Sequence, residues 1–249
     1  MKERWIDCAE AMIAAVRQLG VVPLFRCGVH GWSIEEQTAP GFWFTEGDEL
    51  GPWDWKVEVV REGDIAYGKF LGGKAAFATR EWYALLCDAR RSLPRYRMAL
   101  GEPFPAKTKY EQEMQRLSPM ALQAIRAQGS CNTGELRAAC GGVKKTIIDS
   151  VLQYLQMGTW CLTGDITRVY RGPDLHYNGW QKASYTTPEA LFGTAQGEVS
   201  GPSWAKRFEQ EAQRPKRAQL SPEAARSAII DHILEIAPAA ERRAVEKMI

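Results

Sequence analysis

The chain has 249 residues, 45% of them hydrophobic, and its 32 Lys and Arg nearly balance its 30 Asp and Glu. This length allows a substantial core in one large domain or two small ones. The near-neutral balance excludes a strong overall field toward nucleic acid or an anionic membrane, so binding to either needs a local patch.

The beginning of the chain, MKERWIDCAEAMIAAVRQLG, carries charges throughout and lacks the apolar core of a signal peptide. No later stretch reaches the roughly 18 apolar residues of a spanning helix, so we expect a cytoplasmic protein with no membrane partner. The six cysteines are scattered without a CxxC pair, which indicates free thiols and no zinc site. We expect no cofactor.

The N-terminal part reads as one helix followed by strands. Residues 3–19 place apolar side chains at three- and four-residue steps, which predicts an amphipathic helix that Gly20 ends. Ser33 and Glu36 have capping-box spacing before a short helical turn. Residues 53–59 alternate with period two, which predicts a strand that turns Trp53 and Trp55 to one face and Asp54 and Lys56 to the other.

Two further runs, IAYGKFL and KAAFA, flank the pair GG and predict the other strands of a three-stranded antiparallel meander. Thr79 can then cap a helix that carries Trp82, Leu85 and Leu86 on its apolar side. Pro94, Pro103 and Pro105 mark the predicted domain boundary.

The second half predicts three helices and a hairpin. Ser118 and Pro119 indicate a helix entry, and that helix would end at Gly129. Asn132 and Glu135 have capping-box spacing before a short helix, and VKKTIIDSVLQYLQM carries one apolar stripe. The strands TWCLTGDITRVY and WQKASYTT follow where a wing would lie, so the order is that of a winged helix.

The predicted fold class is therefore α+β: a winged-helix module (helix-turn-helix plus β-hairpin wing) joined to an N-terminal helix and three-stranded meander domain. The predicted domains are residues 1–100, residues 107–200, and a C-terminal helical tail over residues 201–249. Within that tail, helices are expected from Ser203 and from Ser221 and Pro222, the latter interrupted by Pro238.

Basic residues at two places fit nucleic acid. Cations at the start of a recognition-type helix would meet phosphates, and cations interleaved with rings on a wing suit backbone contact and stacking. A solvated helix end and an ordinary exposed hairpin explain the same residues. The candidate DNA-binding residues are Lys144, Lys145, Arg168, Arg171 and Lys182.

The stretch GFWFTEGDELGPWDWK mixes aromatic rings with carboxylates, which suggests a stacking pocket with a catalytic acid or base. Asp48, Glu49 and Asp54 are the carboxylates concerned, and Asp54 is the catalytic candidate. The alternative is that the strand leaves Asp54 in water. The candidate pocket residues are Trp53, Trp55, Lys56, Tyr67 and Lys69.

Three strings, EGDELGPWDWK, AYGKFLGGKAAFATREW and YTTPEALFG, resemble the AlkZ-related proteins, a bacterial family named for its relation to the AlkZ/YcaQ winged-helix DNA glycosylases. The resemblance covers residues 24–193. It implies a winged-helix architecture and a role in handling damaged DNA. The similar glycosylases use a Gln-x-Gln or Gln-x-Asp pair on the strand after a recognition-type helix, where this chain has Cys161 and Thr163.

Three functions follow from these observations. The first is a nucleic-acid-binding protein that resembles the glycosylases, with DNA as the expected partner and with catalysis unassigned. The second is an enzyme acting on a nucleobase or nucleoside-like ligand between tryptophans, with Asp54 as acid or base. The third is a module that binds a protein partner through the wing and the C-terminal helices. No oligomeric state is predicted.

Overall fold

A computed structural model describes residues 6–43, 50–193 and 219–249. Helices and two small antiparallel sheets alternate along these ranges, so the predicted α+β class is confirmed. No helix in these ranges is long and apolar enough to cross a bilayer. The predicted helix from Ser203 lies outside the described residues.

The first sheet has three antiparallel strands, β1 (Val21–Pro23), β2 (Ile65–Leu71) and β3 (Lys74–Thr79). Their order is β1-β3-β2, with Val22 opposite Phe77 and Tyr67 opposite Phe77 on the other side. The strands predicted from IAYGKFL and KAAFA are confirmed. The prediction of a meander is wrong, because the third strand of the sheet is β1, which pairs with the other edge of β3.

Helices surround this sheet. Helix α1 (Ala9–Leu19) begins later than predicted, because Ile6 forms a parallel bridge with Thr38 and Cys8 caps the helix. Helix α2 (Ile34–Gln37) is the short turn capped by Ser33, and α4 (Arg80–Arg90) follows β3 as predicted. Thr79 stands at the cap position of α4 but makes no side-chain bond there.

The segment predicted as the first meander strand is a helix, α3 (Pro52–Arg61), so that prediction is wrong. Pro52 occupies the first helical position, where its missing N–H costs no hydrogen bond, and Asp54 lies in the first turn, where the helix dipole favours a negative charge. Pro52, Trp55 and Val59 are buried at three- and four-residue steps, which is the helical period.

The second half begins with α5 (Pro94–Arg97) and one 3₁₀ turn, Met98–Leu100, before α6 (Lys109–Gln128). The predicted entry at Ser118 and Pro119 is wrong, because Thr108 and Glu111 form the capping box and the helix continues through Pro119. The Ser118 hydroxyl donates to the carbonyl of Met114, in the turn where proline disturbs the backbone ladder. The helix ends at Gly129 as predicted.

The next elements confirm their predictions. Helix α7 (Thr133–Ala139) has the capping box of Asn132 and Glu135, and α8 (Lys145–Met157) follows a two-glycine turn. Strands β5 (Leu162–Arg171) and β6 (His176–Thr186) form the long hairpin, and β4 (Ser130–Asn132) pairs with β6 on the outside. Thr187 caps the short helix α9 (Pro188–Phe192).

In the part of the chain that the structure describes, the buried apolar residues form two clusters. One contains the first sheet and its helices together with Leu162 and Ile166 at the base of the hairpin, and the other lies among α5, α6, α7 and α8. Helix α10 (Pro222–Ile236) ends before Pro238 as predicted, and α11 (Arg242–Glu246) follows. Helix α10 belongs to the first cluster, where His232 stacks on Trp82 with ring centroids 3.8 Å apart.

The fully buried Arg90 joins the two halves of the molecule. Its guanidinium donates to the carbonyl of Phe70 at 2.6 Å, to that of Met157 at 3.1 Å and to that of Ile249 at 2.9 Å. These acceptors belong to β2, to α8 and to the segment after α11. A charged donor shared by three backbone carbonyls fixes α8, and with it the hairpin, relative to the first sheet.

Candidate functional site

The hairpin of β5 and β6 has two faces with different surroundings. Arg168 is opposite Gln181 and Thr167 is opposite Lys182. Since neighbouring residues of a strand point to opposite faces, Arg168 and Gln181 share one face and Thr167 and Lys182 share the other. We call the face of Arg168, Gln181 and Tyr177 the inner face, because it lies against α3, and the face of Arg171, Trp180 and Lys182 the outer face.

Arg168 points inward and is already paired. Its guanidinium donates to the Glu58 carboxylate at 3.0 Å and to the backbone carbonyl of Asp54 at 3.3 Å. It also lies 5.9 Å from the centroid of the Tyr177 ring. The side chain is only 20% exposed, so this predicted DNA-binding cation is engaged inside the molecule.

The outer face is exposed. Trp180 has 60% of its surface in solvent, and the Arg171 guanidinium lies 5.4 Å from the centroid of its ring. Lys182 is exposed as well and makes no ion pair within the described ranges. A cation stacked on an exposed indole beside a second cation is a surface suited to a base and its phosphates.

The two lysines at the start of α8 are both exposed, and one of them has no ion pair among the described residues. Lys144 stands at the N-cap position with no side-chain cap bond. Lys145 forms an ion pair with Asp149 at 2.8 Å, one turn along the same helix. The pair at spacing i, i+4 stabilises the helix weakly and offsets one of the two positive charges.

Lys56 lies on α3 and contacts the inner face, a position that the sequence did not predict. The alternating sequence pattern predicts Lys56 on the solvent-facing side of a strand. In the structure Lys56 is 3% exposed, and its ammonium lies 3.3 Å from the centroid of the Trp53 ring. The Nζ donates to the carbonyl of Trp53 and to the Gln181 amide oxygen. Burial, with Arg168 nearby, lowers the pKa of Lys56 to about 7, although the Asp54 charge opposes the shift.

Asp54 accepts hydrogen bonds from the inner face. The Tyr177 hydroxyl donates to its carboxylate, and the Gln181 amide donates to the same oxygen at 3.2 Å. Gln181 also donates to the Tyr177 hydroxyl at 2.8 Å, which closes a three-membered network. Burial first, and then the hydrogen bond to Asp54, raises the pKa of Tyr177 to about 12, so this phenol stays protonated at neutral pH.

The candidate pocket residues do not come together as one group. Trp53 and Lys56 are in contact, but the helical period turns Trp55 into the core, where its ring is 5.8 Å from that of Phe42. Trp53 is 42% exposed and Trp55 is 6% exposed. These two rings therefore do not line one pocket.

The remaining pocket candidates lie on β2. Tyr67 is buried and packs on Phe77 with ring centroids 4.8 Å apart, while Lys69 is exposed and its backbone N–H donates to the buried Gln156 amide. Asp48 and Glu49 lie outside the described residues.

Trp53 instead belongs to a small aromatic surface. Its ring is 6.3 Å from that of Phe25, which meets Trp43 edge-on at 5.5 Å. The Trp53 indole N–H donates to the carbonyl of Gly179 in the hairpin at 3.1 Å. The surface therefore continues from the first sheet's loops onto the hairpin.

Cys161 and Thr163 occupy the place where the resemblance implies a Gln-x-Gln or Gln-x-Asp pair. Both are buried, at 0% and 5% exposure. Neither carries a carboxylate or amide to hold a water molecule. Of the two glutamines on α8, Gln153 is exposed, whereas Gln156 is buried against β2.

Sequence reasoning missed the roles of Tyr177 and Gln181 on the inner face and of Glu58 on α3, which contacts that face. Their contacts join positions 110 to 127 residues apart, such as Arg168 with Glu58 and Gln181 with Asp54. The local signal was the alternation in β6, which places Tyr177 and Gln181 on one side. Nothing in that alternation names α3 as the partner.

The comparison with protein families identifies the chain. A family model described as AlkZ related matches residues 6–249, which is nearly the whole sequence and extends beyond the predicted range of the resemblance. The chain therefore belongs to the AlkZ-related family. No curated protein and no solved structure matches it.

Proposed function

For a chain that belongs to the AlkZ-related family, we propose nucleic-acid binding through the outer face of the hairpin and the start of α8. The observation that carries the proposal is the exposed Trp180 with Arg171 stacked on it and Lys182 on the same face. An aromatic ring gives a base a stacking surface, and the flanking cations neutralise phosphates.

We interpret the second half as a winged helix. Helices α6, α7 and α8 come first, followed by the hairpin, with β4 completing its sheet. In such a module α8 is the recognition helix, so Lys144 and Lys145 stand where phosphates are met. The hairpin is then the wing.

The number of available cations limits the strength of binding. Arg168 is paired with Glu58 and Lys145 with Asp149, which leaves Lys144, Arg171 and Lys182 unpaired among the described residues of this surface. Three or four phosphate contacts give a salt slope of roughly 2–4, well below that of a strong nonspecific DNA binder. Stacking on Trp180 must supply part of the affinity, which favours unpaired or single-stranded nucleic acid.

A second function is favoured by one observation on the inner face. Asp54, Tyr177 and Gln181 form a hydrogen-bonded network beside Lys56, whose pKa is about 7, and beside the half-exposed Trp53 ring. Groups that titrate near neutrality next to a carboxylate are typical of proton-transfer sites. This function is an enzyme acting on a nucleobase or nucleoside-like ligand that stacks on Trp53, with Asp54 as acid or base.

The binding proposal is tested by fluorescence anisotropy of a labelled single strand and a labelled duplex over a series of salt concentrations. Replacing both lysines, Lys144→Ala and Lys145→Ala, should weaken binding and lower the salt slope by about 1–2. The matched control, Arg26→Ala with Lys74→Ala, removes two exposed cations elsewhere and should change neither quantity. Equal affinity and slope in the lysine variant would contradict the proposal.

The second function, an enzyme with Asp54 as acid or base, predicts a different result. If Asp54 transfers a proton, Asp54→Asn should abolish base release from a damaged duplex while leaving anisotropy binding intact. If the wild-type protein releases no base from any of a set of duplexes that each carry a different damaged base, the second function fails. The binding function then stands alone.

A further inference from the structure

A cleft of about 300 Å³ lies in the second half of the molecule, away from the hairpin, between the segment 95–108 and helices α6 and α8. Four of its ten lining residues are aromatic, and its rim carries polar side chains. The residues that the argument uses are Arg95, Tyr96, Phe104, Tyr110, Gln153 and Tyr154. The volume is at the lower end of the roughly 300–1,000 Å³ of ligand sites, so it suits a small ligand.

The first wall of the cleft is held in place by its own hydrogen bonds. The Trp160 indole N–H donates to the carbonyl of Tyr96 at 2.8 Å, and the Tyr154 hydroxyl donates to the carbonyl of Arg95 at 2.8 Å. The rings of Tyr96 and Tyr154 lie 5.9 Å apart. These bonds use the backbone carbonyls of Arg95 and Tyr96 and leave the Arg95 guanidinium free of hydrogen bonds to the described residues.

The opposite wall is fixed as well. With its amide oriented to satisfy both partners, Gln115 donates to the carbonyl of Phe104 at 3.1 Å and accepts from its N–H at 3.2 Å. The capping box of Thr108 and Glu111 anchors the end of the segment. A cleft whose walls are held in this way is formed before a ligand arrives, which lowers the entropic cost of binding.

Three polar groups at the rim remain available. The Arg95 guanidinium is exposed, lies 4.7 Å from the centroid of the Tyr96 ring, and has no carboxylate partner within the described ranges. The Gln153 amide is exposed on α8 and likewise has no hydrogen-bond partner there. Burial raises the pKa of Tyr110, so its hydroxyl remains a donor at neutral pH.

The lining of the cleft carries one cation, Arg95, and one carboxylate, Glu111. Glu111 is the carboxylate among its lining residues, and it accepts from the backbone N–H groups of Lys107 at 2.8 Å and Thr108 at 2.9 Å. These donors and the N-terminus of α6 offset its negative charge. Arg95 is the lining cation, so an anionic group of a ligand would bind on its side of the cleft.

We propose that this cleft binds a nucleotide: a planar base against Tyr110 and Phe104, the lining rings that are not buried, with its phosphate on Arg95 and the Tyr110 hydroxyl. A guanidinium holds phosphate oxygens in a bidentate manner, and rings stack on a base face. The Gln153 amide offers a donor and an acceptor side by side, which match the edge of a base. The nucleotide can come from solution as a free mononucleotide or from the end of a strand.

The proposal does not depend on the hairpin, because none of the cleft residues belongs to it. Isothermal titration of the full chain with adenosine monophosphate, adenosine, benzoate and inorganic phosphate tests it. Adenosine monophosphate should bind one site per chain, and adenosine, which lacks the phosphate, more weakly. Inorganic phosphate lacks the base and benzoate lacks both groups, so these two should bind far more weakly.

Variants assign the binding to this cleft. Arg95→Gln should weaken adenosine monophosphate roughly tenfold, the usual cost of a charge-assisted hydrogen bond, and leave adenosine unchanged. Arg116→Gln, which removes an exposed arginine of α6 outside the cleft, should have no effect. Arg171→Gln with Lys182→Gln should leave mononucleotide binding unchanged, which separates this proposal from the nucleic-acid surface.

Competition identifies the source of the nucleotide. Displacement of adenosine monophosphate by a 5′-phosphorylated single strand, but not by the same strand without its phosphate, assigns the cleft to a strand end. Absence of displacement by either strand assigns it to a free mononucleotide. The proposal is overturned if adenosine monophosphate does not saturate, if benzoate binds equally well, or if Arg95→Gln and Arg116→Gln have the same effect.

Discussion

The two faces of one hairpin carry similar residues in different states. The inner face has Arg168 and Tyr177 bound to α3, with Arg168 20% exposed and paired to Glu58. The outer face has Arg171 and Trp180 in contact with each other and exposed to solvent. An arginine beside a ring therefore does not by itself indicate nucleic-acid binding; its existing partners decide whether its charge is available.

The largest expected difference between the faces concerns pH. The folded pKa of Lys56 is about 7, below its ordinary value of 10.5, so between these pH values the unfolded chain holds a proton that the folded chain lacks. The free energy of unfolding should therefore rise with pH from about 7 to about 10, on the order of a few kcal/mol.

Denaturant melts over this pH range measure that rise, and Lys56→Met should abolish most of it. Lys69→Met removes an exposed lysine from β2 and serves as the matched control, with the pH dependence of wild type. A wild-type free energy of unfolding that falls between pH 7 and pH 9 relative to Lys56→Met would contradict the burial of a lysine on the inner face.

Removal of a cation from the inner face should lower the free energy of unfolding, whereas removal of one from the outer face should not. Arg168→Ala leaves Glu58 and the carbonyl of Asp54 without their donor, and we expect a loss of about 1–3 kcal/mol in the free energy of unfolding. Lys182→Ala on the outer face should change stability by less than about 0.5 kcal/mol. Chemical denaturation of the two variants under one buffer gives both values, and equal losses would remove the distinction.

Removing a ring should cost affinity on the outer face. Trp180→Ala is expected to weaken single-strand binding by about 1–2 kcal/mol, because a base loses its stacking surface. Tyr170→Ala also removes an exposed ring, but its strand position places it with Tyr177 on the opposite side. Anisotropy titrations should show a smaller loss of affinity for Tyr170→Ala than for Trp180→Ala. A larger loss for Tyr170→Ala would indicate that nucleic acid binds the inner face and would contradict the proposal.

Local signals were sufficient for much of the fold. The sequence predicts α7 from its capping box and α8 from the two-glycine turn before it and its apolar stripe. The two strands of the hairpin are predicted from their place after α8 and the glycine-containing loop between them. Helix α3 was predicted as a strand because its alternating tryptophans and valines fit both periods over seven residues. Pro52 at the first helical position and Asp54 in the first turn were the signals that separate the two.

The site could be predicted only in part. Arg171 and Lys182 are exposed on one face, as expected of residues that alternate along strands. The pairing of Arg168 with Glu58 could not be predicted, since it joins residues 110 positions apart and depends on how the hairpin packs on α3. The burial of Lys56 has the same cause.

The salt dependence of binding tests the central claim, that the outer face of the hairpin meets nucleic acid. Affinities of a single strand at several salt concentrations should be measured for wild type, for Arg171→Gln with Lys182→Gln, and for Arg168→Gln, under conditions where each is folded. The outer double variant should lose about 1–2 from the slope of log affinity against log salt, at roughly 0.7 for each phosphate contact on a single strand, while Arg168→Gln keeps the wild-type slope. A slope lowered by Arg168→Gln and unchanged in the double variant would contradict the account.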